Sequence, residues 1–481
     1  MELIFEISKK GKKGFSLPTR DVPEASSLPG KYLRNGDTGL PELSEPEVVR
    51  HFTNLSRMNF GVDSHFYPLG SCTMKYNPKF LEKIAQLECF SSVHPLQPQL
   101  IKGGILTQGS LEVIYNLENL LSEITGMDAF TTQPMAGAHG ELTGVMLMAA
   151  YHRHKGNKRK YILIPDSGHG TNPASAAIAG YEIKTVKSNE KGVLDMIELK
   201  KALSEETAGL MITCPNTLGI FEPAIKEISD LVHGVGALMY YDGANMNAIL
   251  GKARPGDLGF DIVHLNLHKT FATPHGGGGP GAGPVGVKKE LEEFLPTSRV
   301  VKRKDGTFFL EYDKPLSIGY ISQFYGNYSV LLKAYAYILL LGKEGLIEVS
   351  ENAVLNANYI KARLKAHYEI PCPDGCLHEF VISARKQAEK GVHAIDIAKA
   401  LIDRGIHPPT VYFPLNVKEA IMIEPTETES RETLDRFIAI MIELAELAEK
   451  DPESFKAFPR TTPVGRLDEV KAAKDMDLAY L

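Results

Sequence analysis

The sequence predicts an α/β protein, a mostly parallel sheet flanked by helices, followed by a smaller C-terminal α+β domain. Three observations predict it. From Lys160 to Leu267, short apolar runs alternate with helical stretches, and that βαβ rhythm needs crossover connections between parallel strands. The ends of those runs carry polar or small residues (His169, Asn216-Thr217, Asp242, Lys269), so one edge of the sheet gathers reactive groups. Beyond about residue 300 the rhythm gives way to long helices and isolated short strands.

Length and composition narrow the function classes. The chain has 481 residues, which at about 150 per domain suggests two or three domains. A 43% hydrophobic content supports a large core, and a net charge of −6 without a long basic block argues against nucleic acid as a partner. The run Lys9-Lys10-Gly11-Lys12-Lys13 reads as a solvated loop. Five cysteines (Cys72, Cys89, Cys214, Cys372, Cys376) are few and odd in number, which suits a reducing cytosol and a cytoplasmic protein. Cys372 and Cys376 have no second pair and only His378 nearby, so no metal is expected. Met1 to Phe5 is too short and charged for a signal peptide, and the apolar run from Tyr335 to Leu341 is too short to span a bilayer.

Taken in order, residues 1–65 form an arm and a short helix. The stretch 10–43 is rich in Pro, Gly and Ser and reads as extended chain. Ser44-Glu45-Pro46-Glu47 is a capping box that opens a helix toward Arg57. The large domain spans 66–300. It starts with Phe66 to Pro78, a loop broken by Pro and Gly and dense in small polar residues, the kind that lines sites. Ser110 to Thr125 is an amphipathic helix stopped by Gly126. Thr131 to Gly140 then leads into a helix from Glu141 to His152. A glycine-bearing turn that opens a helix presents unpaired N–H groups suited to a phosphate, with an ordinary connection as the alternative. Strands are expected at 161–164, 181–186, 209–213, 237–241 and 262–267, with a helix at 224–232. The small domain, 301–450, should hold helices at 329–341 and 345–367, a strand at 379–383, a helix at 393–404, a strand at 420–424 and a helix at 430–449. Residues 451–481 read as a polar surface tail.

The strand from Ile262 to Leu267 runs straight into His268-Lys269, ahead of the glycine-rich loop Gly276 to Gly283. An amine at the carboxyl edge of a sheet stands where α/β proteins bind ligands, and it can condense with an aldehyde. A second strand ends in Asp242-Gly243-Ala244. Pyridoxal phosphate needs such a pair, a lysine for its aldehyde and a carboxylate to hold its pyridine nitrogen protonated. A solvated loop lysine is the competing reading. His169, on the same edge, could stack on a heteroaromatic ring, or be structural.

With these pieces in place, the chain resembles the P-protein of the glycine cleavage system, glycine dehydrogenase (decarboxylating), in its two-chain form. The resemblance rests on Pro68-Leu69-Gly70-Ser71-Cys72-Thr73-Met74-Lys75, on 136–141, on His169-Gly170-Thr171-Asn172-Pro173, on 265–271, on 274–281 and on 424–430, in that order. It implies a fold-type I, aspartate aminotransferase-like, pyridoxal 5'-phosphate enzyme. Lys269 would be the Schiff-base lysine, Asp242 the partner of the pyridine nitrogen and His169 the stacking ring. Gly137, Ala138 and His139 would lie by the phosphate and Thr217 by the phenolic oxygen, with Ala244 and His268 beside Asp242 and Lys269. Ser71, Cys72, Thr73 and Lys75 would face the glycine pocket. The implied reaction decarboxylates glycine and transfers the aminomethyl group to the oxidised lipoyl arm of the H-protein. The single-chain form carries a second homologous half that lacks the lysine. A separate homologous subunit 1 is therefore implied, with two copies of each subunit. Competing readings are another fold-type I enzyme (an amino-acid decarboxylase, or a cysteine desulfurase relying on Cys72), a non-catalytic scaffold, and a nucleotide site at Gly276–Gly283, which lacks the Walker pattern.

Overall fold

Apolar residues alternate along the central strands, and the alternation sets the layers. In the strand Leu238–Gly243, Leu238 and Tyr240 face one buried cluster while Met239 and Tyr241 face another. Both faces are therefore covered. This computed structural model describes residues 2–23, 28–100, 103–276, 279, 281–373 and 375–477. Its main sheet has seven strands: β1 (Ala129–Thr131), β2 (Tyr161–Pro165), β3 (Glu182–Val186), β4 (Thr207–Thr213), β5 (Leu238–Gly243), β6 (Ile262–Leu265) and β7 (Val285–Val287). They lie in the order β1-β7-β6-β5-β4-β2-β3. β3, β2, β4, β5 and β6 pair in parallel, and β7 runs antiparallel to both β6 and β1. The register sets Thr213 beside Asp242 and Asp242 beside His264, so three polar residues adjoin at one edge.

The expected strands at 161–164, 181–186, 209–213 and 237–241 form, each within a few residues of its expected bounds. β1 and β7 were not foreseen. The strand expected to reach Leu267 stops at Leu265. Asn266 turns the chain and Leu267–Thr270 makes one helical turn, so Lys269 stands on that turn rather than on the strand. The helix expected from Glu141 begins at Gly137 and runs to His154. The capping box at Ser44 forms as expected. Gly126 ends the helix Gln108–Thr125 in a left-handed conformation, φ 72°.

β8 (Arg299–Lys302) and β9 (Phe308–Glu311) make a hairpin, which was not expected. The two helices expected at 329–341 and 345–367 join as Tyr328–Leu364, kinked at Gly342. As far as Val349, beyond the kink, that helix packs on the core of the main sheet. Its last turns pack on a separate core around a three-stranded antiparallel sheet of β10 (Phe380–Ser383), β11 (Thr410–Val411) and β12 (Ala420–Ile423). Ala394–Ile402 and Arg431–Lys450 cover that sheet. Chain 66–70 crosses to the small sheet, where Phe66 bridges Ile406 and Leu69 bridges Ile423. Among the described residues, no helix is long and apolar enough to cross a membrane. Residues 478–481 of the tail, and Gly277, Gly278 and Pro280 of the glycine-rich loop, lie outside the described residues.

Candidate active site

The carboxyl ends of β2, β4, β5 and β6 open on a cavity of about 280 Å³, which Lys269, Asp242, His169, Thr217, Ser71 and Glu379 help to line. Gly137, Ala138, Ala244, His268 and Cys72 line it too. Most of the residues named from the sequence are thus brought together.

Asp242 is 3% exposed. Its Oδ2 accepts from Asn172 Nδ2 at 3.1 Å, its Oδ1 accepts from the Ala244 N–H at 3.1 Å, and His264 Nε2 lies 3.3 Å from Oδ1. Burial alone would raise this carboxyl. His264, the two hydrogen bonds and Lys269 outweigh burial and hold it below the ordinary carboxylate range. It is therefore a fixed negative charge. Lys269 Nζ donates to the Ser71 carbonyl at 2.6 Å, which holds the amine against the loop from the N-terminal side of the domain.

His169 follows β2 and is fixed by Thr171, whose Oγ1 lies 2.8 Å from its Nδ1. Burial, more than any charge, lowers its pKa, so the ring is neutral and apolar-faced near pH 7. Thr171 Oγ1 also donates to Glu141 at 2.7 Å, and Ser175 donates to the same carboxyl at 3.2 Å. Burial first, and then Asp242, raises Glu141 to about 7. Thr217 Oγ1 donates to the Ser167 carbonyl at 3.0 Å, which leaves its oxygen able to accept.

The helix Gly137–His154 starts at the cavity with no side-chain cap, so its first N–H groups remain available. Glycine is required here by close approach. A Cβ on Gly137 would lie 2.5 Å from Asn266 Oδ1, and one on Gly140 would lie 2.6 Å from the Gly283 carbonyl. His139 does not line the cavity; its Nδ1 accepts from the Met135 N–H at 3.3 Å.

Two residues of the 71–75 loop depart from the expected glycine pocket. Thr73 donates from N and Oγ1 to Glu424 at 3.0 and 2.5 Å. Lys75 is buried against Glu427, the Thr270 carbonyl and Asn247 at 2.7, 2.8 and 3.3 Å. Both line a neighbouring cavity that shares His268 and His275 with the first. Ser71 and Thr73 hold left-handed backbone, φ 66° and 51°, which their bonds to Glu379 and Glu424 sustain.

The donor set suits a polar heteroaromatic phosphate. Thr213 Oγ1, Asn266 Oδ1, His268 Nδ1 and His275 Nδ1 are buried, line the cavity and have no partner. Buried polar atoms are rarely left so unless a ligand or water serves them. His268 is pushed down to about 4 by burial, and further by Lys269 and His275, so it adds no positive charge near Lys269.

Residues 19–307 match the family described as glycine cleavage system P-protein, and residues 349–456 match glycine dehydrogenase, C-terminal domain. The chain belongs to the glycine cleavage system P-protein family. The chain is 57% identical over 477 residues to probable glycine dehydrogenase (decarboxylating) subunit 2 of Caldanaerobacter subterraneus subsp. tengcongensis, spanning 98% of this chain and 97% of that one. A protein of the same description from Bacillus velezensis is also 57% identical, over 99% and 97%. Among solved structures, glycine decarboxylase (P-protein) in inhibitor-bound form superposes with a TM-score of 0.71 at 23% identity, over 87% of this chain and 93% of that one. Glutamate decarboxylase of Lactobacillus brevis superposes at 0.65 and 13% identity, over 93% and 98%. These superpositions establish the fold-type I architecture expected from the sequence.

Site residues that sequence reasoning missed include Glu141, Asn172, Thr213, His264, Asn266, His275, His378 and Glu379. For His264 and Asn266 a signal existed, since each is a polar residue set within an apolar run. His378 and Glu379 come from the small domain, and nothing in their local sequence points at Lys269.

Proposed function

We propose that this chain is the lysine-bearing subunit of a glycine dehydrogenase (decarboxylating). It removes CO2 from glycine in the glycine cleavage system and passes the aminomethyl group to the lipoyl arm of the H-protein. Pyridoxal phosphate would supply an electron sink for the pair left on the α-carbon as CO2 departs. The observation that carries the reading is that Lys269 and a buried, hydrogen-bonded Asp242 line one cavity with His169 and unpartnered polar atoms around them.

Each residue has a physical task there. Lys269 gives the amine that holds the cofactor's aldehyde. Asp242, kept charged by His264, Asn172 and the Ala244 N–H, holds a proton at the pyridine nitrogen. His169, neutral and fixed through Thr171, presents a flat face against which the cofactor's ring would be held. The first N–H groups of Gly137–His154, at Gly137 and Ala138, would hold the phosphate, and Thr217 would face the phenolic oxygen. Ser71 and Cys72 border the glycine. A homologous subunit 1 completes the assembly, and the lipoylated H-protein receives the aminomethyl group.

The test is exchange of labelled bicarbonate into the glycine carboxyl, using this subunit with its partner, with and without lipoylated H-protein. Exchange that depends on the carrier supports the reading. Exchange that ignores the carrier and follows another amino acid instead overturns it.

A further inference from the structure

The wall of the cavity contributed by the small domain holds two groups that the reaction as described does not use. Glu379 is 5% exposed and His378 is 2% exposed, and both line the cavity with Lys269. Their backbone is pinned by the Leu377 N–H, which donates to the Gly219 carbonyl at 2.8 Å. Glu379 Oε2 accepts from the Ser71 N–H at 2.8 Å, and the Ser71 carbonyl is the acceptor for Lys269 Nζ. One residue, Ser71, thus links the acid to the amine through its two backbone polar groups. Glu379 Oε1 lies 3.7 Å from His378 Nε2, too far for a hydrogen bond. Both ring nitrogens of His378 are buried and have no partner.

The cavity is as notable for its cations. No arginine lines it and Lys269 is its single lysine, among the described residues. An amino-acid substrate must nonetheless place a carboxylate somewhere. Once Lys269 is engaged with the cofactor, the donors left on this wall are His378 and a protonated Glu379.

We propose that Glu379, as a neutral carboxylic acid, together with His378, seats the carboxylate of glycine through hydrogen bonds rather than an ion pair. The inference rests on the reading of this cavity as a glycine site. It makes sense of the missing arginine. A carboxylate about to leave as CO2 loses its charge, and an ion pair that stabilises the charged ground state would be lost in the transition state and would raise the barrier. A neutral donor orients the group without that penalty.

The surroundings keep the proton on Glu379. Glu424 faces it and accepts from the Thr73 N–H and from Asn245 Nδ2. Burial first, and then Glu424, raises Glu379 to about 8, against the Ser71 N–H and Lys269, which lower it. Cys72, Cys376 and His378 are the other titratable groups nearby. Burial pushes both thiols up and the imidazole down, so all three are neutral near pH 7.

The sign of the pH dependence follows. The acid form binds the carboxylate and the ionised form repels it, so affinity falls as pH rises through about 8. Between pH 7 and 9 the loss is about tenfold, one power of ten per pH unit above the midpoint. The test measures glycine binding by calorimetry to the assembled holoenzyme from pH 6.5 to 9, with methylamine, glycine without its carboxylate, as the reference probe. The ratio of glycine to methylamine affinity should fall about tenfold in wild type and stay flat in Glu379→Gln, which keeps a donor but has no proton to lose. A flat wild-type ratio, which needs no variant to fold, overturns the proposal, as does an unchanged fall in Glu379→Gln. Failure of wild type to bind glycine at any pH instead refutes the reading of the cavity itself.

Discussion

Lys75→Met would remove the ammonium that ties the 71–75 loop to the small domain and to the turn carrying Lys269. The Lys75 side chain is 1% exposed and its partner Glu427 is 8% exposed. Burial alone would lower this ammonium, but Glu427 and Tyr337 outweigh it and raise the pKa. The Lys75 ammonium therefore stays charged below the ordinary lysine value, and its contribution is lost only as pH rises beyond that value. Methionine keeps most of the apolar stem, so the loss is electrostatic: Glu427 is left buried and unpaired, and the Thr270 carbonyl loses a donor. Removing one partner of a buried pair costs about 3–5 kcal/mol. At roughly 2–4 °C per kcal/mol, the thermal midpoint should drop by about 6–20 °C. Differential scanning calorimetry on the assembled subunits measures it. Because the orphaned charge causes the damage, Lys75→Met combined with Glu427→Gln should be less destabilising than the sum of the single changes. A drop under about 2 °C, or strict additivity, would refute the assignment of Lys75 as a structural clamp and return it to the substrate.

The remaining predictions concern the site. Gly140→Ala would drive a Cβ to 2.6 Å from the Gly283 carbonyl, so the helix N-terminus must shift. Overpacking of this kind costs about 1–3 kcal/mol, and cofactor affinity, followed by absorbance titration, should weaken at least as much as stability. Glu141 rises to about 7 from 4.5 mainly by burial, so the folded state holds its proton more tightly than the unfolded chain. Its destabilising contribution therefore grows as pH climbs from 4.5 and is complete above about 7, on the order of 3 kcal/mol at most. In the cofactor-free subunit, Glu141→Gln should flatten the fall in thermal midpoint between pH 5 and 8, and an identical fall would exclude Glu141 as its cause. Lys269→Ala should abolish carrier-dependent exchange yet leave the subunits assembled by size-exclusion chromatography; near-wild-type turnover would contradict its role.

The parallel strands were legible because apolar alternation and βαβ spacing are local signals, and the polar ends of β4, β5 and β6 marked the site's edge. β1 and β7, three residues each, were invisible since so short a run has no period. Asn266 ended β6 early because its side chain lies against Gly137, a contact 129 residues distant that no pattern encodes. Gly137 and Gly140 argued locally against a helix, yet close packing on Asn266 and Gly283 requires them in its first turn. Lys75 looked like a site residue because it sits in a polar loop. Only the fold shows Glu427 waiting for it.

The account depends most directly on Lys269 as the amine that bonds the cofactor. Borohydride reduction of the pyridoxal phosphate-loaded protein, followed by peptide mapping, reads that bond. The expected result is a single pyridoxyl group on Lys269. A mark on Lys75, or an unmodified Lys269 in fully loaded protein, would contradict it.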